Sequence, residues 1–237
     1  MNFEDQAATW IAWARRPLDS YWFFRDAFFE LLPNPCRTLE VGCGEGRVTR
    51  DLRERGFDVT GLDVGPTLVE AARAEDPDGK YVVGAAERLP FENASFDLVV
   101  AYNSLMDVDE MPSAVAEAGR VLTDDGVLCA CITHPMIDSG RWTEEDRTYV
   151  IDKPYLGRNR FELTAEQPGL PPLTFSGWTY PLEAYSRALE DAGLVLEALR
   201  EPGAPAEFVE ANPAVARWQR LPNFLMFRAS RRASLRS

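Results

Sequence analysis

The sequence predicts an α/β fold, a doubly wound and mostly parallel sheet with helices on both faces, on three observations. From residue 36 to residue 133, short apolar runs alternate with segments of helical period, the pattern of strands joined by crossover helices. Residues 39–47 run from an apolar strand through a glycine-rich turn into a helix. A last helix and two more apolar runs then bring the strand candidates to seven before residue 229.

In chain order, strands are expected at 38–41, 59–63, 80–83, 96–101 and 127–133, with helices at 47–55, 67–74 and 112–122. Gly56 and Gly126 supply stops between them. A helix at 182–192 ends at Gly193, and strands follow at 194–200 and 223–229. Two segments fall outside the alternation. Residues 1–32 read as amphipathic helices carrying Phe3, Trp10, Trp13, Tyr21, Trp22, Phe23, Phe24, Phe28 and Phe29. Residues 135–180 read as irregular, with Trp142, Tyr149, Tyr155, Phe161, Phe175, Trp178 and Tyr180. These segments are either flaps that cover the core or an aromatic lid over a ligand at the strand ends.

At 237 residues, with 46% hydrophobic and 27% charged side chains, the composition is globular, neither disordered nor membrane-embedded. No apolar run approaches the roughly 18–20 residues that cross a bilayer. The first nine residues also lack a basic region followed by an apolar stretch, so a cytoplasmic location with no membrane partner is expected. Lys and Arg number 25 against 38 Asp and Glu, a formal charge of −13. That field repels phosphate backbones and argues against nucleic acid. The basic cluster Arg228, Arg231, Arg232 and Arg236 reads as a frayed tail. Only Lys80 and Lys153 are lysines, a bias that suggests a GC-rich bacterial genome. Cys36, Cys43, Cys129 and Cys131 read as free thiols, and with His134 as the sole histidine no metal site is expected.

The glycine turn, Leu39-Glu40-Val41-Gly42-Cys43-Gly44-Glu45-Gly46, has G-x-G-x-G spacing rather than the dinucleotide G-x-G-x-x-G. Its glycines let the backbone turn tightly and approach a ligand, and the helix beyond offers free N–H groups to an anionic group. Asp63 ends the second strand at the same sheet edge, 19 residues after Gly44, where a carboxylate can accept hydrogen bonds from both hydroxyls of a ribose. Glu40, beside the turn, suits a cationic ligand group.

Over most of its length the chain resembles the class I S-adenosylmethionine-dependent methyltransferases. Leu39 to Gly46 matches their first motif and Val59-Thr60-Gly61-Leu62-Asp63-Val64 their second. Gly84-Ala85-Ala86-Glu87-Arg88-Leu89-Pro90-Phe91, followed by Ser95-Phe96-Asp97-Leu98-Val99, matches the third and fourth. Arg120-Val121-Leu122 with Asp125-Gly126-Val127-Leu128 matches the segment before the fifth strand. The Leu-Pro-Phe and Phe-Asp-Leu-Val-Val pieces are similar to the small-molecule (type 11-like) branch. The resemblance implies one Rossmann-like methyltransferase domain over 1–237, its seven-stranded sheet having an antiparallel last strand. Within it, 1–32 would be a helical lid, 36–133 the cofactor core, 134–180 a substrate-covering insert and 181–229 the closing helix and strand pair.

Carried onto this sequence, the resemblance implies S-adenosylmethionine as cofactor and S-adenosylhomocysteine as product. Gly42, Cys43, Gly44 and Gly46 would pack against the methionine part, Glu40 would support its ammonium and Asp63 would hold the ribose. Val64, Ala86 and Glu87 would border the adenine, and Tyr102 or Asn103 would face the sulfonium end. Many relatives have Asp before the Ala-Glu pair, where this chain has Ala85.

On the acceptor side, His134 follows the fifth strand and is held extended by Pro135. It is the candidate catalytic base, with a loop-shaping histidine as the alternative. Tyr21, Trp22, Met106, Arg141 and Trp178 are the substrate-binding candidates. Asp107 is a further acceptor-side candidate: Asp107 and Asp109 either orient an amine of the acceptor or, as the favoured reading, form a solvated acidic loop. The expected function is methyl transfer to a small molecule such as a bacterial secondary metabolite. The alternatives are non-methyl chemistry on the same fold, such as a cyclisation, or a non-catalytic cofactor-binding scaffold.

Overall fold

The computed structural model describes residues 3–16, 19–143, 148–167 and 169–231. A 3-10 turn, Phe3–Gln6, leads into α1 (Ala7–Ala14) and then α2 (Ser20–Phe29). The Asp19 side chain caps α2 by accepting the Tyr21 N–H at 2.9 Å. Next come β1 (Arg37–Val41), α3 (Arg47–Glu54), β2 (Asp58–Asp63), α4 (Pro66–Glu75), β3 (Lys80–Val83), β4 (Phe96–Tyr102), α5 (Met111–Val121) and β5 (Leu122–Thr133). Prolines open α4 and α5, where a missing N–H costs nothing. The strand expected at 127–133 starts earlier because Leu122 already pairs with Phe96 before the ladder shifts to Leu98 and Val127.

The segment expected to be irregular instead holds α6 (Pro135–Asp138) and two antiparallel hairpins. One pairs β6 (Gly140–Trp142) with β7 (Tyr149–Ile151), the other β8 (Asn159–Ala165) with β9 (Leu173–Thr179). Most of their side chains are half-buried or exposed, so no apolar run announces them. The chain closes with α7 (Leu182–Asp191), β10 (Leu194–Arg200), α8 (Ala206–Ala211), a 3-10 turn at Pro213–Gln219 and β11 (Phe224–Arg231).

The seven-stranded sheet has the order β10-β11-β5-β4-β1-β2-β3. The pairs from β5 through β3 are parallel, while β11 runs antiparallel to both β5 and β10. Strand order reverses between β1 and β4, and a crevice therefore opens at the carboxyl ends of the strands there. Each face of the sheet has its own apolar layer. Met111, Ala114 and Val115 of α5 and Tyr185 and Leu189 of α7 pack with Leu128, Ile132 and Phe227 on one side. Tyr21, Phe24 and Phe28 of α2, spaced as one helical stripe, pack with Leu98, Val100 and Met226 on the other. Phe208 of α8 stacks on Phe23 with centroids 4.0 Å apart. α2 is thus a wall of the core rather than a lid.

Arg228 and Arg231, read as part of a frayed tail, lie within β11. Arg228 pairs with Glu197 at 2.8 Å, and Arg231 donates to the Gly119 and Leu122 carbonyls at 2.6 and 3.1 Å. Arg232 and Arg236 lie outside the described residues. All four cysteines are free thiols. No described helix is long and apolar enough to cross a membrane.

Because Phe28 is fully buried against the sheet, Phe28→Ala is expected to lower stability by about 3–5 kcal/mol in urea unfolding. Leu163→Ala, at a 61% exposed position, should change it by less than about 0.5 kcal/mol. Equal effects would contradict α2's place in the core.

Candidate functional site

The site grows from the turn between β1 and α3. The Gly42 and Cys43 N–H groups both donate to the Leu62 carbonyl, at 2.7 and 3.0 Å, tying the turn to the end of β2. Gly42 has a φ of +74°, and a Cβ there would lie 2.3 Å from the Ser104 Cβ, so only glycine lets the turn and the loop after β4 approach each other. Ser104 completes that contact by donating from Oγ to the Val41 carbonyl at 2.7 Å.

Asp63 stands at the centre. Its Oδ2 accepts the Gly44 N–H and its Oδ1 the Gly65 N–H, each at 2.8 Å. Burial raises its pKa above the ordinary carboxylate value, with the backbone N–H groups pulling the other way. Glu40, 1% exposed, accepts a hydrogen bond from the Thr49 hydroxyl. Burial, and then the charges of Asp63 and Glu45, push it up to about 8. Glu45 is held through Oε2 by Arg50 at 2.8 Å, while its buried Oε1 has no hydrogen-bond partner among the described residues.

These groups open onto a cavity of about 590 Å³, within the roughly 300–1,000 Å³ of small-molecule and cofactor sites. One end is formed by the glycine turn, Glu40, Glu45 and Arg47, with Trp10 and Ala14 of α1 above it. Asp63, Val64, Leu68 and residues 84–87 line a second side, and Tyr102, Asn103, Ser104, Asp107, Val108 and Asp109 a third. Asn103 holds a left-handed φ of 52° at the end of β4. Arg160 of β8 and Ser176, Gly177 and Trp178 of β9 close the cavity over the loop after β4. The Trp178 N–H donates to the Met106 carbonyl at 2.9 Å and its indole Nε1 to Asp109 Oδ1 at 3.1 Å. The Arg158 guanidinium lies 3.7 Å over the Trp178 ring.

Of the residues singled out in the sequence, Glu40, Gly42, Cys43, Gly44, Asp63, Val64, Ala86, Glu87, Tyr102, Asn103 and Trp178 line this cavity together. Gly46 does not; its φ of +84° starts α3, and a Cβ there would stand 2.9 Å from the Tyr81 ring and 3.0 Å from the Ala72 Cβ. Tyr21 is 1% exposed in the core and donates to Asp51 at 2.6 Å, and burial holds its phenol far above the usual value. Trp22 faces outward and donates to the Arg16 carbonyl at 3.1 Å. Met106 is buried off the cavity wall, and its backbone carbonyl accepts from β9. Arg141 pairs with Asp152 at 2.7 Å on the surface.

His134 also lies off the cavity wall. Its Nδ1 accepts the Met136 N–H at 3.2 Å as the cap of α6, which leaves its Nε2 to pair with Glu201 at 2.8 Å. Both ring nitrogens are committed, as in the loop-shaping alternative. Asp107 lines the wall, as its acceptor-side alternative requires and a solvated loop does not. Trp10, Arg160, Ser176 and Gly177 carried no local motif. Their place depends on α1 and the β8–β9 hairpin meeting: Trp13 Nε1 donates to the Pro171 carbonyl at 3.0 Å, and Trp10 and Trp13 pack edge-on against Phe175.

The buried Glu40 predicts a pH signature. The folded state keeps its proton up to about pH 8, whereas an unfolded glutamate releases it near ~4.3. Its contribution to stability is complete below the unfolded value and is lost as pH rises through the folded one. Glu40→Gln should therefore flatten this part of the decline in urea-unfolding free energy and exceed wild type above about pH 8. A slope unchanged by the substitution would contradict the burial of this carboxyl.

The methyltransferase domain family matches residues 39–130. The chain is 30% identical over 166 residues to the biotin biosynthesis bifunctional protein BioHC of Cellvibrio japonicus, covering 69% of this chain and 33% of that protein. It is 35% identical over 105 residues to a malonyl-[acyl-carrier protein] O-methyltransferase of Enterobacter lignolyticus, covering 44% and 42%. The chain thus spans about a third to two-fifths of these relatives' lengths. The crystal structure of an S-adenosylmethionine-dependent methyltransferase from Mesorhizobium loti superposes with a TM-score of 0.74 at 24% identity, covering 90% of this chain and 98% of that one. Residues 39–130 thus match the methyltransferase-domain family, and the chain has the fold of the class I methyltransferases.

Proposed function

We propose that the protein is an S-adenosylmethionine-dependent methyltransferase acting on a small-molecule acceptor. The observation that carries this reading is the Asp63 carboxylate held against the Gly44 N–H at the mouth of the cavity, where strand order reverses. There Asp63 accepts from the ribose hydroxyls, with Val64, Ala86 and Glu87 bordering the adenine. Gly42, Cys43 and Gly44 seat the methionine chain, and Glu40 with the free Oε1 of Glu45 meets its ammonium. Arg47 stands at the same end for the carboxylate. Tyr102 and Asn103 border the reacting end.

Three buried polar atoms with no hydrogen-bond partner among the described residues, Glu45 Oε1, Tyr102 Oη and Ser176 Oγ, belong to residues of the cavity wall, where a polar ligand can satisfy them. When bound, S-adenosylmethionine supplies a methyl carbon already activated by a sulfonium, so the protein's work is alignment and exclusion of water. Trp10 over the turn and Trp178 over the loop after β4 serve that exclusion. The acidic wall, with Glu40, Glu45, Asp63, Glu87, Asp107 and Asp109 against Arg47 and Arg160, favours a cationic cofactor. Relatives named for methylating a malonyl group and demethylmenaquinone support a small acceptor. Four free thiols agree with work in the cytoplasm, and the charge of −13 disfavours nucleic acid as a partner.

Two experiments test the reading. S-adenosylhomocysteine at about 100 times its Kd should stabilise the wild type by about 2.7 kcal/mol, and Asp63→Ala should weaken binding at least roughly tenfold, the cost of one charge-assisted hydrogen bond. No stabilisation at millimolar ligand would overturn cofactor binding. Incubation with deuteromethyl-labelled cofactor and a fractionated bacterial metabolite extract should yield a labelled small molecule by mass spectrometry. Bound cofactor with no labelled product would favour the non-methyl or scaffold alternatives.

A further inference from the structure

Of the two cavity carboxylates outside the cofactor contacts, Asp109 accepts from the Trp178 indole, which leaves Asp107. Asp107 sits in the loop after β4, and its N–H donates to the Ser104 carbonyl at 3.0 Å. The preceding residue, Met106, is pinned to β9 through the Trp178 N–H at 2.9 Å, so the loop is held rather than free. β9 makes room for the carboxylate. A Cβ on Gly177 would stand 3.2 Å from Asp107 Oδ1 and 2.5 Å from the Met106 carbonyl oxygen. Next to this gap, Ser176 is 5% exposed and its Oγ, on the cavity wall, has no hydrogen-bond partner among the described residues.

The charged and titratable surroundings of Asp107 come from several elements. Asp63 from β2 and Asp138 from α6 act on it as like charges, and Tyr185 from α7 feels both Asp107 and Asp138. Glu87, Asp109, Arg47 and Arg160 share the cavity wall, while β9 presents only the uncharged Ser176, Gly177 and Trp178. Burial first, then Asp63 and Asp138, push the Asp107 carboxyl up to about 8. A carboxyl tuned near neutral pH, facing a cavity and with no hydrogen-bond donor among the described residues, is matched to receiving a proton.

We propose that Asp107 is the catalytic base of the methyl transfer, taking the proton of an acceptor hydroxyl that Ser176 orients. The inference rests on the methyltransferase reading and adds the acceptor class, a molecule methylated on a hydroxyl oxygen. The acceptor oxygen uses a lone pair to bond the methyl carbon, while the electron pair of the carbon–sulfur bond stays with sulfur. The O–H pair returns to the acceptor oxygen as its proton passes to the Asp107 carboxylate. An anion and a sulfonium cation become a neutral acid and a neutral thioether, so charge balances, and solvent takes the proton after product leaves.

The test compares wild type, Asp107→Asn and Asp107→Glu in three measurements. Calorimetry with S-adenosylhomocysteine, which lacks the sulfonium charge that the acidic wall attracts, should give Kd values within about twofold of each other, because Asp107 makes none of the contacts assigned to this ligand. Rates of deuteromethyl transfer to the acceptor isolated from the metabolite extract should rise with pH through about 8 in wild type. Asp107→Asn should lose roughly 100-fold or more in kcat, the usual worth of a general base, together with that pH limb; Asp107→Glu should recover part of both. Aspartate side-chain carboxyl carbon NMR of the S-adenosylhomocysteine complex, which separates Asp107 from the Glu40 carboxyl, should show a signal that titrates near 8 and is missing from Asp107→Asn. The proposal is overturned by wild-type kcat and pH profile in Asp107→Asn, by an Asp107 signal titrating near the ordinary ~3.9, or by label on an atom other than a hydroxyl oxygen. Wild-type protein that binds S-adenosylhomocysteine but labels nothing overturns the methyltransferase reading itself, and this inference with it.

Discussion

The Asp63 carboxylate between the backbone N–H groups of Gly44 and Gly65 is the contact on which the rest of the site depends. It joins the turn after β1 to the turn after β2, and the Leu62 carbonyl reinforces the same junction by accepting from Gly42 and Cys43. The strands set this geometry. β1 and β2 pair in parallel register with Val41 opposite Leu62, so both turns leave the sheet at one level. Gly42 then lets Ser104 and the loop after β4 close in from the other side of the switch point.

The cost of that convergence is electrostatic. Glu40, Asp63 and Asp107 all have raised pKa values because they share a buried region with few cations. Holding carboxylates together out of water is unfavourable, and it is sustained here by backbone N–H groups, the Thr49 hydroxyl and the Arg50 to Glu45 pair. A cationic ligand relieves the same repulsion. The site is therefore built to gain most from a partner that brings positive charge, which the overall acidity of the chain does not oppose.

The core strands and the glycine turn were legible in the sequence because their signals are local: an apolar run, a turn of fixed glycine spacing, a helix start. The β6–β7 and β8–β9 hairpins were not, since half-exposed strands leave neither a run nor a clean alternation. Ser176 and Gly177 reach the cavity because β9 is anchored to α1 through Phe175, to Gln6 through Thr174 and to Met106 through Trp178, contacts between residues far apart in sequence. His134 illustrates the opposite limit. Its position after β5 was read correctly, but the direction of its ring is set by the α6 cap and Glu201. Tyr21 carried a readable signal, the stripe with Phe24 and Phe28 that marks it as core.

The most direct measurement is a crystal structure of the protein with S-adenosylhomocysteine. Both ribose hydroxyls are expected on Asp63, the methionine end over the glycine turn beside Glu45, and the thioether sulfur facing the space bounded by Asn103, Asp107 and Ser176. A ligand bound elsewhere, or one whose sulfur points away from the loop after β4, would contradict this placement.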